Sequence, residues 1–246
     1  MLATNFDEKT DYKGWFLSEK LDGYRCFWDT KNFKSRNGNI FHLPQKIKTQ
    51  MPKNIHLDGE IYIDKYSFEK LSILKKNVIN EKECENMKFY LFDLPKVKCE
   101  YKDKINKMKM ISQQYPYFIR YVEQIPMKNN KKIKNVFRKY IENDCEGVIL
   151  RNPSSIYTKG RSKNLVKLKP MIDDEATIVG YNLNENNDLK SFKCKYKNNI
   201  INVYGLSQQL KKNYKRHKIN DKITFQYSGL SNSGIPKYPR YKRKFT

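Results

Sequence analysis

The run W-F-L-S-E-K-L-D-G-Y-R-C-F-W-D, residues 15–29, constrains the fold more than any other stretch. Apolar and aromatic side chains crowd both sides of Asp22-Gly23, which is the pattern of two strands that must bury a face. Yet Lys20 stands in the middle of the run. An exposed lysine beside a hairpin would account for it, because Asp-Gly is a favoured turn dipeptide. The chemical alternative is that Lys20 is a nucleophile. An amine attacks phosphorus or carbonyl carbon only when deprotonated, a state that neighbouring cations, a metal or desolvation promote. Arg25 adds a planar donor suited to a phosphate or a nucleotide.

The remaining pattern is mixed. After a turn at 30–32, F-K-S-R-N-G returns as a hairpin strand, and strands are expected over 54–63 and 88–94. Phe68, Leu71 and Leu74 predict a helix over 67–76. Ile105, Met108 and Ile111 predict a second helix over 102–114, and Ile133, Val136, Phe137 and Tyr140 a third over 130–142. Short strands follow in G-V-I-L-R and N-L-V-K-L-K-P. This α+β region ends near Pro170. From Ala176 onward evenly spaced short strands alternate with Asn- or Gly-rich turns, and helical periodicity is confined to 206–216. Five or so strands with one helix suggest a small barrel of the OB kind. The expected domains are 1–171 and 172–246.

Charge narrows the partner. Basic residues outnumber acidic ones 50 to 26, for a formal charge of +24, and both halves are basic. That excess favours a polyanion, although a merely lysine-rich chain would show it too. Five cysteines occur without any C-x-x-C, which fits a reducing compartment and argues against a zinc knuckle. The three histidines, 42, 56 and 217, lie far apart. The first residues lack the basic head and apolar stretch of a secretion leader, and no run approaches the ~18 apolar residues of a membrane span. A cytoplasmic protein with no membrane association is expected.

Several segments can supply chemistry around Lys20. H-L-D-G-E-I-Y offers Glu60 after what reads as a second Asp-Gly turn, and E-G-V-I-L-R offers Glu146 at a strand start. Lys167 and Lys169, two apart, share one face of a strand. Y-L-F-D offers aromatic rings at a strand end. Together these residues make a site for attacking a nucleoside triphosphate: carboxylates for a divalent metal, lysines for phosphate charge, a ring for the base and Lys20 as nucleophile.

At this point the chain resembles the covalent nucleotidyltransferases: DNA ligases, RNA ligases and mRNA-capping enzymes. Their K-x-D-G-x-R hallmark stands here as Lys20-Leu21-Asp22-Gly23-Tyr24-Arg25. In the same order come Ser35-Arg36-Asn37-Gly38, Asp58-Gly59-Glu60, Phe92-Asp93, Glu146-Gly147-Val148-Ile149 and Lys167-Leu168-Lys169. The stretches G-R-S-x-x-L-x-K-L-K-P (160–170) and Y-S-G-L-S-N-S-G-I-P-K-Y-P-R-Y (227–241) are most similar to the minimal two-domain ATP-dependent DNA ligases of bacteria and viruses. The resemblance implies an ATP-grasp-like nucleotidyltransferase domain of antiparallel sheets with flanking helices, followed by an OB-fold barrel. It implies that Lys20 forms a lysyl-AMP bond, with Glu19, Arg25, Arg36, Glu60, Phe92, Lys167 and Lys169 around the nucleotide; Tyr90 is the alternative stacking ring. Glu60 and Glu146 would serve Mg²⁺, with Mn²⁺ as a substitute. Arg36, Lys193, Lys195, Arg240 and Lys242 would grip DNA. ATP rather than NAD is the implied adenylate donor, nicked duplex DNA the partner, and a monomer the working form. In place of the R-x-D-K type motif that ends larger relatives stands P-R-Y-K-R-K (239–244). An RNA ligase, a capping guanylyltransferase or a non-catalytic nucleic-acid-binding protein with the same fold are the alternatives.

Overall fold

The computed structural model describes residues 1–65, 68–231 and 233–245. It divides into two compact units, Met1–Leu168 and Lys169–Thr246, so the division falls three residues ahead of the expected one. The reason is local: the last strand of the first unit ends at Leu168, and Ile172 already begins the first strand of the second.

The first unit is built on two sheets. Its strands are β1 (Leu2–Asn5), β2 (Phe16–Glu19), β3 (Tyr24–Trp28), β4 (Phe33–Ser35), β5 (Ile40–Phe41), β6 (Leu57–Tyr62), β7 (Lys88–Asp93), β8 (Ile119–Tyr121), β9 (Ile125–Pro126), β10 (Val148–Arg151) and β11 (Arg161–Leu168). One sheet has the order β1-β11-β10-β2-β9 and the other β5-β4-β3-β6-β7-β8. Each contains one parallel pair, β1 with β11 and β7 with β8, so the sheets are mixed rather than purely antiparallel. Residues 15–29 supply a strand to each sheet: β2 joins the first and β3 the second.

Strand alternation sets the faces. Cys26 and Trp28 of β3, Leu57 and Ile61 of β6, and Phe89 and Leu91 of β7 enter one apolar core. Arg25, Asp58, Glu60 and Phe92, out of phase with them, point to the opposite face. The helix Tyr101–Gln114 covers the core with Tyr101, Lys104, Met108 and Ile111 buried. The stripe therefore includes a lysine and leaves the expected Ile105 half-buried. The helix Asn130–Glu142 packs Ile133 against Leu17, Val148 and Leu150 of the other sheet, with Val136, Phe137 and Tyr140 half-buried beside them.

Two further expectations change. The segment expected as a helix over 67–76 is a 3₁₀ helix, Glu69–Lys75, still burying Leu71 and Leu74; Tyr66 and Ser67 lie outside the described residues. Asp58-Gly59-Glu60 is not a turn but the middle of β6. Gly59 is required there by close approach, because a Cβ would lie 2.6 Å from the Phe89 ring and from the Tyr90 carbonyl.

The second unit is a five-stranded sheet of β12 (Ile172–Leu183), β13 (Leu189–Tyr196), β14 (Asn199–Val203), β15 (Lys222–Tyr227) and β16 (Arg240–Lys244), in the order β14-β13-β12-β15-β16. Ile178, Phe192, Cys194, Val203, Ile223 and Phe225 are fully buried in its core. The basic stretch 239–244 largely forms its edge strand, with Arg240 and Lys242 exposed.

Candidate active site

A cavity of about 310 Å³ lies between the two sheets of the first unit. Glu19, Lys20, Ile149 and Lys167 line it from one sheet, and Arg25, Glu60 and Phe92 from the other. The chain crosses between the sheets twice beside it, at residues 20–23 and at 122–124. Lys20 is the first residue after β2, and its backbone amide donates to the Gly147 carbonyl at 2.9 Å. Its ammonium is ion-paired with the Glu146 carboxylate.

Glu60 is half-buried, and its pKa is pushed up to about 8. Burial is the main cause; Lys20 and Arg25 pull it down, while Glu146 and Asp58 push it further up. Glu60 and Glu146 thus feel each other's charge, which is the environment a hard divalent cation relieves. Magnesium is commonly held by one or two carboxylates plus substrate phosphates and water, and Glu60 and Glu146 are the carboxylates that would serve it.

Arg25 is gripped by Asp58 through two hydrogen bonds, from Nε at 3.0 Å and from Nη2 at 2.6 Å. It also donates to the Met1 carbonyl and lies 5.7 Å from the centre of the Phe92 ring. Burial works against the Arg25 charge, but Asp58 outweighs it and holds the pKa above the ordinary arginine value. The Tyr157 hydroxyl donates to Asp58 at 2.7 Å.

Beneath this layer is a fully enclosed ion cluster. Asp93 accepts from Lys104 at 3.1 Å and from Arg151 at 3.0 Å, and none of the three side chains is more than 4% exposed. The register explains it. Asp58 and Asp93 are cross-strand partners, and two facing carboxylates repel. Each is neutralised separately, Asp58 by Arg25 and Asp93 by Lys104 and Arg151.

The remaining expected residues are placed as follows. Phe92 lines the cavity, whereas Tyr90 packs against Tyr62 at 5.5 Å between ring centres. Arg36, exposed at the β4–β5 turn, reaches the cavity wall. Lys169 belongs to the second unit, where its ammonium lies 5.6 Å from the centre of the Tyr238 ring. Lys193 and Lys195 are exposed on β13, alternating with buried Phe192, Cys194 and Tyr196. Lys242 is paired with Asp173 at 2.5 Å.

Sequence reasoning missed Asp58, Asp93, Lys104, Arg151, Tyr157 and Gln124. Asp58 and Asp93 sit inside motifs already singled out. Lys104 was detectable as a charge on the Tyr101–Met108–Ile111 stripe. Tyr157 and Gln124 carry no local signal.

A family model described as the ATP dependent DNA ligase domain matches residues 1–169, and one described as the DNA ligase OB-like domain matches residues 185–244. A DNA ligase of Haemophilus influenzae is 30% identical over 237 residues, spanning 94% of this chain and 87% of that protein. The DNA ligase of Enterobacteria phage T4 is 26% identical and matches over 73% of this chain, which spans about half (50%) of its length. A solved structure from a study of Lig E DNA ligases, described as binding DNA with a minimal scaffold, shares the fold with a TM-score of 0.90. It is 22% identical, with 99% of this chain and 98% of that one covered.

Proposed function

The chain belongs to the ATP-dependent DNA ligase family, and on that premise we propose that it seals 3′-OH/5′-phosphate nicks in duplex DNA through a covalent adenylate on Lys20. The observation that carries the reading is the Lys20 amine held against Glu146 at a cavity also lined by Phe92, Arg25, Glu60 and Lys167.

Lys20 attacks the α-phosphorus of ATP. An N–P bond forms and the P–O bond to pyrophosphate breaks; the ammonium loses one proton to become a nucleophile and a second as the bond forms, both to solvent, leaving an N–H on the phosphoramidate. Phe92 stacks on the base, and Lys167 balances phosphate charge. Arg25, held flat by Asp58, presents its remaining N–H groups to the nucleotide or to the nick phosphate. Glu60 and Glu146 would hold Mg²⁺, or Mn²⁺ in its place, which supplies charge neutralisation at the phosphates. AMP then passes to the 5′-phosphate of the nick, and the 3′-hydroxyl displaces it. Each step is mostly positioning and charge neutralisation.

Arg36, Lys193, Lys195, Arg240 and Lys242 contact phosphates of the duplex, with little base readout. The reading extends to a monomer in a reducing, cytoplasmic compartment, in keeping with five free cysteines. Among the described residues no helix is long and apolar enough to cross a membrane.

The test is covalent labelling. Incubation with α-labelled ATP and Mg²⁺ should transfer label to the wild-type protein and none to Lys20→Ala. Label on the variant at the wild-type rate would refute the nucleophile assignment.

A further inference from the structure

We propose that Gln124 reads the base of the nucleotide, its Oε1 accepting from the exocyclic amine of adenine and disfavouring the carbonyl that guanine carries at that position. The inference deepens the ligase reading and rests on it.

Gln124 is only 7% exposed, yet it lines the cavity. It sits on the second crossing between the sheets. Just before it, the Val122 amide donates to the Leu91 carbonyl at 3.0 Å, which ties this point of the chain to the strand that carries Phe92. Just after it, Ile125 pairs with Leu17 on the strand that leads to Lys20. The β9 partners of β2 are Phe16 and Leu17, so β9 does not cover the edge of β2 from Ser18 onward. Ser18 is itself opposite Ile149, which also lines the cavity. A ring resting on Phe92, joined through its phosphate to Lys20, therefore turns an edge toward Gln124.

The amide offers that edge only one kind of group. Its Nε2 donates to the Val122 carbonyl at 2.9 Å. Rotating the amide would set Oε1 against that carbonyl, acceptor against acceptor, so the orientation is fixed by the backbone. Among the described residues no protein donor meets Oε1, and that oxygen is not among the polar atoms sealed from solvent without a partner. The free end is thus an acceptor facing the cavity. Adenine presents an N6 amine donor there and guanine an O6 acceptor. An amide anchored in this way pairs with the first and is left facing a second lone pair by the other.

Self-adenylylation of the full chain with Mg²⁺ tests this, using α-labelled ATP, GTP and purine riboside triphosphate, which has hydrogen in place of the 6-amino group. Wild type should prefer ATP over purine riboside triphosphate by about tenfold in kcat/KM, carried mainly by KM, and over GTP by on the order of 100-fold. Gln124→Met should bring ATP down to the level of purine riboside triphosphate while changing the latter by no more than about threefold. Wild type that uses ATP and purine riboside triphosphate alike overturns the proposal without recourse to any variant. So does a folded Gln124→Met that keeps the wild-type ratio or loses both nucleotides equally, because that is the behaviour of a structural residue. Gln124→Ala serves as the second variant and should equalise the two nucleotides in the same way. Wild type labelled by none of the three overturns the ligase reading together with this one.

Discussion

The two units handle charge in opposite ways. In the first, Asp58, Asp93, Lys104 and Arg151 are buried and paired with one another or with Arg25. In the second, the buried polar side chains among the described residues are Ser191, His217 and Thr224. His217 is half of an Nε2–Tyr241 hydroxyl contact at 2.9 Å, and burial lowers its pKa, which favours the neutral ring. The lysines and arginines of that unit lie outside, as in the Lys242–Asp173 and Lys244–Asp221 pairs. Desolvating ions costs several kcal/mol each, and mutual attraction repays it only in good geometry. A site that must hold a small nucleotide in one pose needs side chains with no freedom, and buried pairs supply that. A surface that grips a long polyanion needs only accessible positive charge.

The comparison breaks most visibly at Asp93. Asp93→Ala leaves Lys104 and Arg151 buried without a counter-charge and should lower stability by about 3–5 kcal/mol in urea unfolding. Replacing all three by apolar residues of similar volume should recover most of that loss. Self-adenylylation should stay impaired, because Phe92 and Arg25 would lose their fixed floor. Full activity in that triple variant would show the cluster to be a packing device alone.

Glu60 gives the next effect, read through pH. Its folded-state pKa is raised from 4.5 to about 8. The folded protein therefore keeps a proton across that interval that the unfolded chain has lost, and stability falls as pH rises from 4.5 toward 8. Above 8 the contribution is flat. In metal-free buffer, Glu60→Gln should lack this component, gaining about 1 kcal/mol or more on wild type between pH 5 and pH 8.5. Parallel urea midpoints for the two proteins would remove the buried-carboxyl argument.

The second unit should respond to salt rather than to denaturant. Lys193→Ala with Lys195→Ala should reduce the slope of log affinity for nicked DNA against log salt by roughly 0.9 per lysine, and move stability by less than about 0.5 kcal/mol. An unchanged slope would take both lysines out of the DNA contact. The smallest effect belongs to Lys242→Ala. Both partners of that pair are more than 40% exposed, so its loss should leave the urea midpoint of unfolding where it stands in wild type.

Much of this site is legible in the chain because its chemistry is local. Lys20, Arg25, Glu60, Phe92, Glu146 and Lys167 each sit in a short motif whose residue types suit phosphoryl transfer. What the motifs hid was the backbone beneath them. Asp58-Gly59 looks like a turn because the dipeptide favours one, but a strand overrides that preference when a neighbouring ring needs the space above the glycine. The 3₁₀ segment Glu69–Lys75 keeps the expected buried leucines, since spacing of three serves either helix type.

The residues alone determined two things: a mixed unit followed by a small unit of strands with one helical stretch, and a set of charged groups that fits nucleotide chemistry. Both depend on periodicity and side-chain type, which act over a few positions. Only the tertiary structure decided that Asp58 faces Asp93 across 35 residues of chain, that Lys104 reaches Asp93 from within a buried helix stripe, and that Gln124 lines the same cavity as Phe92 and Lys20. Those pairings are set by strand register and by the packing of two sheets, quantities that no stretch of sequence carries by itself.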